Sequence, residues 1–256
     1  MERITSRNNQ IVKDTKKLLT SSRARSEQGR FVLEGARLCF DVLHSVYHPL
    51  LLLMTEKVYN RYPSEAEALA QRSDAAYLIT EEVAGKLGAT ESTQGIFAVC
   101  EKQKPEAAYG KRLLLLDRVQ DPGNMGTIIR TAEALGLDGI LTYGCCDVYN
   151  PKVLRAAMGS VLRMLPQETE NAEELLKTLK QTHTVYATVP DETAMSIEQA
   201  DFSVPCVCII GNEANGVSES LQTLADARIT IRMDGNAESL NAGVAAAITM
   251  WEMVRQ

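Results

Sequence analysis

Three segments of this chain, far apart in sequence, repeat one design: an apolar run of strand length, a tight loop rich in Gly, Asn and acidic residues, then a stretch of small residues suited to a helix. They are LLLLDRVQDPGNMGTIIRTAEALG (Leu113–Gly136), CVCIIGNEANGVSESL (Cys206–Leu221) and ITIRMDGNAESLNAGVAAAITMWEM (Ile229–Met253). A Leu/Val/Ile run without polar alternation suits a strand buried on both faces, and such strands belong to parallel sheets covered by helices. In an open sheet of that kind the ligand crevice lies beyond the carboxyl ends of the strands. Three polar loops at three strand ends can therefore meet at one site.

The rest of the chain is organised around this core. A charged stretch containing Pro and Gly, EKQKPEAAYGK (Glu101–Lys111), separates two apolar runs and marks a boundary, with one domain over 1–103 and a second over 108–256. Before it, helical patterns over Asn9–Leu19, Ala36–Val46 and Ser64–Arg72 alternate with strands at Arg30–Leu33, Leu50–Met54, Ala76–Leu78 and Ile96–Val99, which predicts a small α/β domain. After it, strands at Leu113–Leu116, Gly139–Thr142, Val185–Thr188, Val207–Ile210 and Ile229–Ile231 alternate with helices, the pattern of a mostly parallel sheet. The last helix carries Leu240, Val244, Ile248 and Trp251 at three- to four-residue spacing, one clear apolar stripe.

Within the first loop, Asp121-Pro122-Gly123-Asn124 shapes a helix start and Arg130 follows about one and a half turns in. Helix N-termini bind anions and arginine binds phosphate bidentately, so a phosphate group can dock there; a capping Asn124 and a surface Arg130 are the structural alternative. Gly211 lets backbone approach a flat ligand directly after a buried strand, and Glu213 can hold a polar group beside it.

Taken together, Asn124-x-Gly126-x-x-x-Arg130, Gly211-Asn212-Glu213 with Gly216, and Glu238-Ser239-Leu240-Asn241 leading into Ala245–Ala247 resemble the three signature motifs of the SpoU/TrmH family of RNA ribose 2′-O-methyltransferases, in the SPOUT superfamily. The resemblance spans roughly 110–256, and Ile4–Gly35 is similar to the start of the ribosomal-protein-like RNA-binding domain that many members carry. Where the family usually has a glycine after the second-motif Glu, this chain has Ala214 and Asn215. Its third motif reads Ile231-Arg232-Met233 in place of Ile-Pro-Met.

The resemblance implies an α/β catalytic domain ending in a trefoil knot, a homodimer built partly on the last helix, and S-adenosyl-L-methionine as cofactor. It further implies methyl transfer to a ribose 2′-hydroxyl of structured RNA, with 23S ribosomal RNA favoured over transfer RNA because a recognition domain precedes the catalytic one. A non-catalytic RNA-binding protein that keeps the fold is the remaining alternative. Asn124, Arg130, Glu213, Ser239 and Asn241 become the expected catalytic residues, and Thr188, Gly211, Asn212, Ile231, Met233 and Leu240 the expected cofactor contacts. An arginine is too basic to act as a general base, so Arg130 is expected to orient the hydroxyl and stabilise its developing oxyanion. No Rossmann Gly-x-Gly-x-x-Gly follows an early strand, so the cofactor must bind through the C-terminal loops.

Charge supports a partner with phosphates. The 256 residues carry a net −6, yet residues 1–30 alone carry +5. A basic segment on an acidic body is the footprint of a protein that meets RNA with one part only. Arg7, Lys13, Lys16, Lys17, Arg23 and Arg25 are the expected contacts there, joined by Lys152 and Arg155 of a helix opening at Asn150-Pro151. No early apolar stretch reads as a secretory signal and none reaches membrane-spanning length, so a cytoplasmic protein away from membranes is expected. The six cysteines form no Cys-x-x-Cys pair, and Cys206 and Cys208 sit in an apolar strand, which reads as reduced core thiols. His44 and His48 have helical spacing but no acidic neighbour in sequence, so no metal is expected.

Overall fold

A computed structural model describes residues 1–88, 93–103 and 109–256 and divides the chain into two compact units. Residues 104–108 of the charged boundary stretch lie outside the described residues.

The first unit opens with β1 (Glu2–Ile4), α1 (Gln10–Thr20), α2 (Ser22–Gln28), β2 (Arg30–Glu34), α3 (Ala36–Asp41), β3 (Pro49–Thr55), α4 (Glu56–Arg61), α5 (Pro63–Arg72), β4 (Ala75–Ile79), α6 (Glu81–Leu87) and β5 (Ile96–Glu101). Its five strands are ordered β1-β4-β3-β5-β2, with β5 antiparallel to both neighbours and the rest parallel. Helix α1 starts where the Asn9 side chain accepts from the Ile11 N–H at 2.8 Å, and it buries Val12, Thr15, Leu18 and Leu19 at helical spacing. That stripe joins Val32, Leu53, Val83, Leu87 and Phe97 in one core.

The second unit begins with β6 (Arg112–Asp117), α7 (Pro122–Leu135) and β7 (Gly139–Tyr143). The chain then makes an excursion that the sequence reading did not foresee. Helix α8 (Pro151–Ala157), capped by Asn150 onto the Lys152 N–H at 2.9 Å, belongs with the rest of Tyr149–Arg163 to the first unit. Tyr149 packs 4.4 Å from Phe31, centroid to centroid, and its hydroxyl lies 3.3 Å from that of Tyr47. Gly159, at φ +92°, leaves room for the Asp41 carboxylate where a Cβ would stand 2.2 Å from it. The domain boundary in space is thus crossed three times by the chain.

The second unit resumes with β8 (Gln167–Thr169), α9 (Ala172–Leu179), β9 (Thr184–Thr188), β10 (Met195–Ser196), β11 (Cys206–Ile210), α10 (Glu219–Leu224), β12 (Ala227–Thr230) and α11 (Ala242–Arg255). Its seven strands run β10-β12-β9-β11-β6-β7-β8, all parallel. The central β11 is buried along its whole length, which explains its unbroken apolar run. Strand β12 ends at Thr230, one residue before the expected Ile231, so Ile231 opens the loop instead of closing the strand. Cys206 and Cys208 are buried core residues. His44 lies in a 3₁₀ turn ending before Ser45 and His48 beyond it, so the helical spacing is not realised; His48 instead pairs with Asp74 at 2.7 Å.

Candidate active site

All three signature loops follow the carboxyl ends of strands in the second unit, and side chains between them carry out a reciprocal clasp. Asp117, fully buried at the end of β6, accepts from the Ser218 N–H at 2.7 Å and so ties the second loop to the first strand. Glu213 returns the favour from the second loop: its carboxylate accepts from the backbone N–H of Gln120 and of Asp121, each at 3.1 Å, and from Asn124 Nδ2 at 3.0 Å. Burial pulls the Glu213 pKa up, but these donors outweigh it and hold the carboxyl below its usual range. Helix α7 is capped by Asp121, not Asn124: the Asp121 carboxylate accepts from the Asn124 N–H at 2.8 Å. Asn124 is buried in the first turn and serves the clasp.

The second loop closes on itself. Asn212 and Gly216 exchange backbone hydrogen bonds of 3.0 and 2.9 Å, and the Asn212 side chain donates to the Arg118 carbonyl at 2.7 Å. Gly211 sits beneath this closure, where a Cβ would stand 2.0 Å from the Gly216 carbonyl carbon. Its lack of a side chain is therefore demanded first by the loop's own backbone. The left-handed residue is Gly216, at φ +65°, so Ala214 and Asn215 adopt no such conformation.

Beside this loop lies a cavity of about 470 Å³. Of the expected cofactor contacts, Thr188, Gly211, Asn212, Ile231, Met233 and Leu240 all line it, as do Glu213 and Ser239. Ile210, Val217, Ala242 and Ala245 add apolar wall, and Asp191, Glu213 and Glu238 ring it with carboxylates; the cation among the lining residues, Arg228, is paired with Asp191 at 3.1 Å. Asp191, held ionised by the Thr193 hydroxyl and N–H and then by Arg228, was missed by the sequence reading although it follows a strand in TVPDET. Volume, apolar walls and an acidic rim suit a flat purine ligand with a cationic tail, which is the description of S-adenosylmethionine.

Three expected catalytic residues stand outside the cavity lining: Asn124, held in the clasp, and two on the facing helices, Asn241 and Arg130. Asn241 caps α11, accepting from the Gly243 N–H at 2.9 Å and the Val244 N–H at 3.3 Å. Arg130 stands exposed on α7 and, among the described residues, makes no hydrogen bond or ion pair. The two helices pack together, and Gly243 sits at their contact: a Cβ there would lie 3.1 Å from Asn241 Oδ1 and 3.3 Å from Asn124 Oδ1. Burial pushes the Cys145 thiol up to about 11 and the Cys146 thiol up to about 12, so neither thiol beside these loops is a ready nucleophile.

The expected RNA contacts divide. Arg25 is buried and donates to the Leu18 carbonyl at 2.7 Å, which corrects its reading as a free cation. Lys16 likewise reaches the Leu87 carbonyl at 3.1 Å at the end of α6, and Arg155 faces Glu34 at 3.8 Å. Arg7 pairs with Glu82 and Arg23 with Glu27 on the surface. Lys13, Lys17 and Lys152 remain exposed.

Known proteins share this architecture. The SpoU rRNA Methylase family profile matches residues 111–251, and a profile for the MRM3-like substrate binding domain matches residues 9–98. The 23S rRNA (guanosine(2553)-2′-O)-methyltransferase RlmP of Bacillus subtilis is 34% identical over 99% of this chain and 99% of its own. An AdoMet-bound rRNA methyltransferase from Sinorhizobium meliloti superposes with a TM-score of 0.88 at 30% identity, covering 99% of this chain and 97% of that one. The SpoU methyltransferase AviRb of Streptomyces viridochromogenes, solved with AdoMet, superposes at 0.86 with 27% identity, covering 97% and 98%. With the second and third motif loops lining one cavity, the first clasped to the second, and the profile covering all three, this chain belongs to the SpoU rRNA Methylase family.

Proposed function

We propose that this protein transfers a methyl group from S-adenosyl-L-methionine to a ribose 2′-hydroxyl of 23S ribosomal RNA. The observation that carries the reading is the acidic, apolar-walled cavity formed by the second and third loops and clasped to the first. The cofactor, when bound, supplies an electrophilic methyl on a sulfonium. The chain's task is then to hold that group and present the oxygen. Thr188, Ile231 and Leu240 would hold the purine end, and the rim of Asp191, Glu213 and Glu238 would make the surroundings of its cationic part acidic.

Arg130 is free to receive the substrate: its guanidinium orients the 2′-hydroxyl and stabilises the charge that develops on it, while a substrate phosphate or another group takes the proton. Ser239 and Asn241 position the ribose from the third loop. The first unit binds the RNA, with Lys13, Lys17 and Lys152 among its exposed cations, and this substrate places the work in the cytoplasm. Among the described residues no helix is long and apolar enough to cross a membrane.

The same reading includes a homodimer and a knot. Val244 and Trp251, 48% and 56% exposed on α11, form an apolar strip suited to a second copy. Helix α11 leaves β12 near one edge of the sheet yet packs on α7 and on β6 and β11 at its middle, the return a threaded chain makes. The test is mass mapping of nucleosides in 23S RNA treated with the purified protein and labelled S-adenosylmethionine. A new ribose methyl is expected; label on a base would overturn the assignment.

A further inference from the structure

Along one edge of the first unit's sheet, the ends of β2, β3 and β4 meet the start of β5 and open a second cavity of about 290 Å³. It is walled by Lys57, Val58, Arg61, Tyr62, Glu81 and Gln94, none of which belongs to the basic N-terminal segment. Lys57 and Arg61 are exposed and have no acidic partner among the described residues. The Arg61 guanidinium lies over the Tyr62 ring at 5.2 Å, and the Phe40 ring steadies Tyr62 edge-on at 5.4 Å. A flat cation thus lies over a fixed aromatic at the cavity wall.

The polar groups are equally particular. Gln94 Oε1 accepts from the Ala36 N–H at 2.7 Å, which fixes the amide orientation and leaves its NH₂ free to donate. Thr93 Oγ1 accepts from the Gly95 N–H at 3.2 Å and keeps its own proton to give. Glu81 supplies an acceptor. Stacking plane, two donors, one acceptor and two unpaired cations are what a nucleobase edge and its phosphate require, and the volume admits one nucleotide but no paired helix.

We propose that this cavity takes a single unpaired nucleotide of the RNA, its base stacked on the Arg61–Tyr62 pair and its phosphate held by Lys57. The proposal rests on the reading of RNA as substrate. It assigns to the first unit a selection for looped over paired RNA, separate from the diffuse attraction of Lys13 and Lys17.

The test compares binding of the full chain to a synthetic RNA hairpin with an unpaired loop and to a blunt duplex of equal length. The wild type is expected to favour the hairpin by about tenfold, the scale of one stacked base. Lys57→Ala with Arg61→Ala should erase that preference, and Arg61→Lys, which keeps charge but loses the plane, should retain only part of it. Lys13→Ala with Lys17→Ala should weaken both RNAs alike. A double variant at 57 and 61 that keeps the preference, or that weakens both RNAs equally, overturns the pocket alone. A wild type that binds neither RNA overturns the substrate reading and the pocket with it.

Discussion

Arg130 offers the sharpest division of labour in the active site. It is exposed, without a hydrogen bond or ion pair among the described residues, and outside the cavity lining. Arg130→Ala should therefore cut turnover by about 10²–10³, the scale for losing one oxyanion donor, while calorimetry finds S-adenosylmethionine affinity within twofold of wild type. Gly211→Ala should do the reverse. Its Cβ would collide with the Gly216 backbone at 2.0 Å, so the loop must open at a cost of about 1–3 kcal/mol, and cofactor affinity should fall at least about tenfold.

Glu213 sets the acid limit of the same loop. Its pKa is depressed in the fold, so its contribution is complete above the unfolded value near ~4.3 and is lost only as pH falls through the lower folded value. Cofactor affinity measured from about pH 8 to pH 5 should show no step from this group, and a midpoint above about 5 would contradict the clasp. These residues were legible as a site because Gly, Asn and Glu recur after apolar runs. Their division of tasks was not, since whether Glu213 meets a ligand or the Gln120 and Asp121 N–H groups depends on a partner about ninety positions away. The same holds for Lys16, whose carbonyl partner is 71 positions away. Counting charges could not reveal that it was already engaged.

Among the elements, those with a long period or an unbroken apolar run were readable: α1, α5, β3, β6 and β11 lie within a residue or two of expectation. The short ones escaped. Helix α2 follows α1 with only Ser21 between them, a residue that ends one helix and caps the next by accepting from the Ala24 N–H, and β1, β8 and β10 span three residues or fewer. Elements so short acquire their form from neighbours, not from their own pattern. Helix α11 shows the opposite case, a pattern with more information than one partner can use. Ala246, Met250 and Met253 are buried inward, whereas Val244 and Trp251 are left outward. If the proposed homodimer forms through this strip, the wild type should sediment as a dimer and Trp251→Glu as a monomer with an unchanged thermal midpoint; a monomeric wild type would overturn the dimer, and a dimeric variant would overturn the strip as its interface.

For the whole molecule, the chain path matters more than the boundary in sequence. A fragment of 109–256 keeps every signature loop but strips Tyr149–Arg163 of Phe31, Tyr47 and Lys102. Val153, Leu154, Val161 and Leu162, buried in the full chain, lose the unit to which they belong. The fragment should bind an apolar dye strongly and lose solubility, and replacing Tyr149, Leu154 and Leu162 by polar residues should recover it. A fragment as soluble as the full chain would show that the segment folds back by itself. No local signal announced this excursion: Asn150-Pro151 predicts where a helix starts, and nothing in a helix start says which sheet will receive it.

That excursion also orders events at birth. The ribosome releases Phe31 and Tyr47 early, yet the side chain whose ring packs on Phe31 and whose hydroxyl meets that of Tyr47 arrives only with Tyr149, after β6, α7 and β7 have been made. Over the 102 residues from Tyr47 to Tyr149, about two-fifths of the chain, the first unit waits with an aromatic socket open, and its last segment arrives only after the second unit has begun.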